Sequence, residues 1–139
     1  MKTSECFGKG LLRKIPVEKE RVESSLDLSA HYLERASGNL KIEYYDVIFL
    51  VAYNSMLQSA RALLFNDGVK ERSHYCAVEY LREKYSGDKD LGVFVELLDN
   101  YRQNRHATQY DGQLVTEKEA REAVADALKF LALAKRKIK

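Results

Sequence analysis

Proline and glycine are scarce in this sequence, with 1 Pro and 7 Gly in 139 residues. A sandwich of many short strands needs turn-forming residues at regular intervals, so this scarcity argues against an all-β fold. Apolar residues make up 45% of the chain, which is too high a fraction for a disordered protein. The length is that of one domain. We therefore expect a single globular domain built mainly from helices.

Cysteine is also rare, with only Cys6 and Cys76 in the chain. Two cysteines do not make a disulfide framework, and neither has a second cysteine at the spacing of a redox or metal motif. Free cysteine is among the most buried residue types. We therefore expect two reduced thiols, with Cys76 in the core.

Neither sign of charge dominates, since 23 basic residues face 21 acidic ones and the net charge is +2. This balance excludes a basic footprint over the whole chain, although a local basic patch could still bind nucleic acid. The longest apolar run, Val47 to Tyr53, falls short of the roughly 20 residues that span a bilayer. Residues 1–16 contain no apolar segment of signal-peptide length. A cytoplasmic location is expected.

Several enzyme motifs are missing from the sequence: the Walker loop, GxGxxG, HExxH, GxSxG and the DxDxDG calcium loop. The histidines, His31, His74 and His106, lie far apart in the sequence and lack the spacing of metal ligands. We therefore expect neither a metal nor an organic cofactor.

Apolar residues recur at helical spacing in five segments. The first segment runs from Pro16 to Gly38-Asn39, the second from about Tyr44 to Phe65, and the third from Ser73 to before Ser86. The fourth runs from Asp88 or Asp90 to Asp111-Gly112, and the fifth begins at the capping box Thr116–Glu119. Short connections force neighbouring helices to lie antiparallel. The predicted fold is all-α, an up-and-down bundle of about five helices over residues 16–139. Residues 1–15 show no clear period and are expected to form a loosely structured arm.

Candidate chemistry is concentrated near the end of the fourth predicted helix. Arg102 and His106 are four residues apart and share one helix face, with Arg105 one step to the side and Tyr110 near the helix end. A neutral histidine can take the proton of a 2′-hydroxyl, and an arginine can stabilise charge that builds on phosphorus. The same cations also favour the dipole at a helix C-terminus, so the pattern has a purely structural interpretation as well.

Arg61 lies in a mostly apolar stretch of the second predicted helix. A charge taken out of water needs a partner, so Arg61 is expected to form a half-buried ion pair or to line a pocket for an anion. Tyr53, Met56 and Tyr75 lie in apolar helices. They are therefore expected to be packing residues rather than platforms for stacked bases.

Several short runs together resemble the HEPN domain of prokaryotes. The most specific is Ser59-Ala60-Arg61-Ala62-Leu63-Leu64, and Tyr53, Asp67-Gly68-Val69, Ser73-His74 and Arg105 with Tyr110-Asp111 add to it. The resemblance extends from about Leu26 to Leu133. It implies a helical bundle that commonly forms homodimers, with the end of the fourth helix near the dimer cleft.

The resemblance also implies a range of activities. Many similar proteins are paired with a minimal nucleotidyltransferase in toxin–antitoxin pairs, and in some pairs the partner adds AMP to a tyrosine of the HEPN protein. Active members are metal-independent ribonucleases with an arginine, four to six further residues and a histidine. Others bind nucleotides or serve as non-catalytic accessory domains.

This sequence departs from the nuclease pattern. Tyr110 stands five residues after Arg105, where the shortest active spacing would place a histidine, and only three residues separate Arg102 from His106. We therefore expect a non-catalytic homodimer that binds a nucleotide, an RNA end or a partner nucleotidyltransferase through Arg61, Arg102, Arg105 and Tyr110. The alternative is a metal-independent endoribonuclease in which His106 is the general base, Arg102 or Arg105 stabilises the transition state and Tyr110 positions the substrate.

Overall fold

The computed structural model describes residues 1–110 and 114–138, without the side chains of residues 106, 107, 109 and 110. Within this part of the chain there are six helices and two short strands. The helices are α1 (Thr3–Gly8), α2 (Lys19–Gly38), α3 (Tyr45–Asn66), α4 (His74–Lys84), α5 (Lys89–Tyr110) and α6 (Glu117–Lys137), and the strands are β1 (Leu12–Lys14) and β2 (Val69–Glu71). The predicted all-α class is confirmed, with one helix more than predicted and a two-stranded sheet that was not predicted.

Helix α3 is the central element of the fold, as its apolar sequence predicted. It packs against α2, α4, α5, α6 and β2, and the side chains of Tyr53, Met56, Leu63 and Leu64 are fully buried. Among the described helices α3 alone is long and apolar enough to cross a membrane by length and composition. However, 67% of its most apolar 18-residue stretch is buried inside the fold, as in the core helix of a soluble protein.

The predicted caps at the starts of α4, α5 and α6 are confirmed. Ser73 accepts a hydrogen bond from the backbone N–H of Cys76 at 3.2 Å, which fixes the start of α4 at His74. Asp88 accepts one from the N–H of Leu91 at 2.9 Å before α5. The capping box of Thr116 opens α6. Each cap satisfies backbone donors that the first turn of a helix leaves without a partner.

Residues 1–15 form α1 and β1 and pack on the bundle, which corrects the expectation of a loosely structured arm. Leu12 is almost fully buried, and β1 pairs with β2 in an antiparallel register that places Leu12 opposite Glu71. The N–H of Ile15 continues this pairing to the carbonyl of Gly68 at 2.8 Å, so α2 begins only at Lys19 rather than directly after Pro16. Strands of three residues are too short to show an alternating pattern in the sequence.

Cys6 and Cys76 form a disulfide, with a Cα–Cα distance of 5.9 Å. The expectation of two reduced thiols was therefore wrong, whereas the predicted burial of Cys76 is confirmed. The two cysteines are separated by 70 residues, and α1, which carries Cys6, was not predicted from the sequence. The bond ties α1 to the first turn of α4, where His74 lies.

Candidate anion-binding site

Three arginines singled out from the sequence lie around a tyrosine–histidine pair near the start of α4. Arg61 comes from α3, and Arg102 and Arg105 come from α5. The positive charge of each of them lowers the pKa of His74, so all three are within electrostatic reach of its imidazole. We refer to Arg61, Arg102, Arg105, Tyr53 and His74 together as the arginine cluster.

The centre of the arginine cluster is a hydrogen bond between Tyr53 Oη and His74 Nδ1, 3.0 Å long. Tyr53 is fully buried on α3, and His74 is the first residue of α4 and half-buried. Burial lowers the pKa of His74 below its ordinary value, and the positive charges of Arg105, Arg61 and Arg102 lower it further. The imidazole is therefore neutral near pH 7.

Arg105 lies over the ring of Tyr53. Its Cζ atom lies 5.4 Å from the centroid of the Tyr53 ring, within the range of a cation–π interaction. Burial raises the pKa of Tyr53 to about 12 despite the opposing charges of Arg105 and Arg102, so the phenol keeps its proton. The Nε atom of Arg105 is buried and has no hydrogen-bond acceptor in the described part of the chain. An unsatisfied buried donor costs about 1–3 kcal/mol, and an external acceptor would relieve that cost.

Arg102 is held in place by a carboxylate and an aromatic ring. Its Nη2 atom lies 3.0 Å from Oδ1 of Asp99, and its Cζ atom lies 5.5 Å from the centroid of the Tyr75 ring. Asp99 also binds Arg82, with an Nη2–Oδ2 distance of 3.2 Å. Arg82 also pairs with Glu79 and Glu96, so Asp99 remains available to orient the Arg102 guanidinium.

Arg61 forms the half-buried ion pair that its sequence context predicted. Its Nε atom donates to Oε1 of Glu71 at 2.8 Å, and the two side chains are 28% and 9% exposed. The Cζ atom also lies 5.4 Å from the centroid of the Phe65 ring. Among the described side chains, the one hydrogen bond of the Arg61 guanidinium is made by Nε and none by its two terminal amino groups. The ion pair therefore orients Arg61 and leaves it able to bind an anion as well.

The remaining predicted site residues, His106 and Tyr110, belong to α5, but their side chains are outside the described residues. The structure therefore brings together Arg61, Arg102 and Arg105 and does not test the roles of the other two. No group of three or more His, Cys, Asp or Glu in the described part of the chain lies close enough together to hold a metal ion.

Sequence reasoning missed Tyr53 and His74 as members of the site. The burial of Tyr53 confirms its prediction as a packing residue. Its hydroxyl also forms a hydrogen bond with His74, which was not predicted. The available signal was the position of His74 directly after the Ser73 cap, at the first turn of a helix. A separation of 21 residues gave no reason to place the two side chains in contact.

Three guanidinium groups and two carboxylates, those of Glu71 and Asp99, meet around the Tyr53–His74 pair. The net charge of these five groups is positive. Because the groups are partly shielded from solvent, salt screens their charges less than it screens exposed charges. Such an arrangement can bind a small anion with several oxygen acceptors, because guanidinium groups form directed, charge-assisted hydrogen bonds.

A comparison with known families agrees with this architecture. The family model of the HEPN domain matches residues 22–138, which is most of the chain. It includes all five residues of the arginine cluster and all of the long helices except the first residues of α2. No individual curated protein matches the sequence. The chain belongs to the HEPN family.

Proposed function

We propose that this HEPN protein binds the phosphate group of a nucleotide or an RNA end at the arginine cluster, and that it does not cleave RNA. The observation that carries the proposal is the buried Nε–H of Arg105, which has no acceptor in the described part of the chain and whose charge acts on His74 together with those of Arg61 and Arg102. A phosphate oxygen would supply the missing acceptor. Its negative charge would also offset the positive balance of the cluster.

The absence of cleavage is supported by the spacing of the candidate catalytic residues. Arg102 and His106 are separated by one residue fewer than the shortest spacing of the nuclease motif. The alternative is a metal-independent endoribonuclease in which Arg102 or Arg105 stabilises the transition state and His106 is the general base. An assay for RNA cleavage separates the two functions.

The binding proposal predicts a loss of nucleotide affinity when the donor at position 105 is weakened. Arg105→Gln should bind adenosine 5′-monophosphate roughly tenfold more weakly, a change of about 1.4 kcal/mol, because the charge and the Nε–H are both lost. Isothermal titration calorimetry in EDTA measures the affinity. Arg35→Gln is the matched control, since Arg35 is exposed on α2 and should tolerate the change. Equal affinities of Arg105→Gln and the wild type would contradict the proposal.

The non-catalytic part of the proposal has its own test. The purified protein is incubated with labelled single-stranded RNA in EDTA beside His106→Ala and Arg102→Ala. We expect no cleavage by any of the three proteins. Cleavage by the wild type that both variants lose would establish the nuclease instead, whereas equal residual cleavage in all three would indicate a contaminant.

We further propose that the protein is a cytoplasmic homodimer with α5 near the two-fold axis and that its partner is a nucleotidyltransferase of a toxin–antitoxin pair. A two-fold axis repeats the same charges on both subunits, so Asp99 beside Arg102 would reduce the repulsion there. Light scattering at micromolar concentration should give twice the chain mass, and a monomer would contradict the dimer.

A small nucleotidyltransferase encoded beside this chain, and its co-purification with the protein, would support the proposed partner.

A further inference from the structure

The buried hydroxyl of Tyr53 determines which nitrogen of His74 carries the proton. Near pH 7 the phenol is protonated and its O–H needs an acceptor, since an unsatisfied buried hydroxyl is costly. In the described part of the chain the hydrogen-bond partner of this hydroxyl is Nδ1 of His74. The phenol therefore donates to Nδ1, and the single proton of the neutral imidazole lies on Nε2.

Nε2–H of His74 is consequently an oriented donor within electrostatic reach of the three arginines. It lies on the far side of the ring from the Tyr53 hydroxyl, and it has no hydrogen-bond partner in the described part of the chain. His74 is half-buried rather than enclosed, so a ligand can reach the ring. Its position at the first turn of α4 adds the favourable end of a helix dipole for a negative charge.

We propose that His74 is a phosphate-binding residue that donates Nε2–H to the ligand, with Tyr53 as the positioning residue that sets its tautomer, and that the ligand is a terminal phosphate. The inference rests on the proposed function, because it assigns a residue and a ligand class to the same site. It adds a neutral donor to the three arginines.

The donors of the site favour a terminal phosphate over a phosphodiester. Three kinds of donor make no hydrogen bond within the described residues: Arg105 Nε–H, His74 Nε2–H and the terminal amino groups of Arg61. A terminal phosphate offers three free oxygens and close to two negative charges near pH 7, whereas a phosphodiester between two sugars offers two free oxygens and one charge. The positive balance of the cluster fits the more highly charged group.

If His74 only accepted a hydrogen bond from Tyr53 and did not contact the ligand, the relative affinities of two variants would be the reverse of those expected for a ligand contact. The amide of His74→Gln reaches the position of Nε2 and retains a donor for the ligand, but it removes the acceptor at Nδ1. The amide of His74→Asn reaches the position of Nδ1 and retains a partner for Tyr53, but it has no donor for the ligand. A ligand contact therefore favours glutamine for affinity, whereas a structural role favours asparagine.

The test is calorimetric titration of the full chain with three probes: adenosine 5′-monophosphate, inorganic phosphate, and an adenylyl dinucleotide without a terminal phosphate. We expect the wild type to bind the monophosphate at least tenfold more tightly than the dinucleotide, and inorganic phosphate to compete for the same site. His74→Asn should lose roughly tenfold in affinity, and His74→Gln should stay within about threefold of the wild type. His31→Asn, a change of an exposed histidine on α2, is the control and should bind normally.

Nitrogen-15 NMR of the imidazoles provides an independent readout of the tautomer. In the wild type, Nε2 of His74 should be protonated and Nδ1 unprotonated, and Tyr53→Phe should produce a mixture of both tautomers with weaker binding. Equal affinity of His74→Asn and the wild type, or a proton on Nδ1, would overturn the inference while leaving the phosphate site itself intact. Failure of the wild type to bind any probe would instead overturn the proposed function, and the inference with it.

Discussion

Replacing both cysteines by alanine is expected to lower the free energy of unfolding by about 4 kcal/mol, because the disulfide closes a long loop in the unfolded chain. Cys6 and Cys76 are separated by 70 residues, so the bond removes many conformations of the unfolded state. The expected loss is a large fraction of the roughly 5–15 kcal/mol that stabilises a typical domain. Alanine avoids placing new hydroxyl groups at two fully buried positions.

Urea unfolding with and without reducing agent measures this contribution. The oxidised wild type should unfold at the highest denaturant concentration, and reduction should bring it close to the double variant. The variant itself should be unaffected by the reducing agent, which makes it the control for other effects of the reagent. Identical midpoints for oxidised and reduced wild type would contradict the prediction.

The disulfide also bears on the arginine cluster, because Cys76 lies two residues after His74. His74 is positioned by the Ser73 cap and by the hydroxyl of Tyr53, and neither contact involves α1. Reduced protein is therefore expected to keep its affinity for the monophosphate even though its stability falls. This matters for the cytoplasmic location we propose, since thiols in that compartment are mostly kept reduced.

The features that sequence reasoning predicted correctly are local ones. The periodic segments became helices, and Ser73, Asp88 and Thr116 cap them, because a cap involves residues no more than three positions apart. The ion pair of Arg61 was also predictable, since a charge within an apolar helix requires a partner wherever the chain folds. The identity of that partner, Glu71, depends on the β1–β2 sheet and was not predictable.

The features that were missed depend on contacts between distant residues. β1 pairs with a strand more than 50 positions away, and Cys6 finds Cys76 only because α1 packs on α4. The hydrogen bond between Tyr53 and His74 is of the same kind, since it requires α3 and the start of α4 to meet. Hydrophobic periodicity identifies the faces that are buried and carries no information about which side chains meet inside.

Replacing Gly68 by alanine should also lower the stability strongly, by about 3 kcal/mol, because two separate costs add at this position. Gly68 has a φ angle of +72°, a conformation that costs an L-residue about 1–2 kcal/mol. A Cβ atom there would also lie 2.8 Å from the backbone carbonyl oxygen of Ile15, which cannot move without displacing β1. The hydrogen bond from the N–H of Ile15 to the carbonyl of Gly68 holds these two segments together.

Gly10→Ala is the matched control for this prediction. Gly10 has nearly the same φ angle, +70°, but no atom lies within 4 Å of the position of its Cβ, so alanine there meets only the conformational cost. Urea unfolding of both variants should therefore show the larger loss for Gly68→Ala, and equal losses would mean that the contact with Ile15 is not limiting. Because Gly68 directly precedes β2, which carries Glu71, a displaced strand should also weaken the ion pair of Arg61 and reduce monophosphate affinity in Gly68→Ala alone.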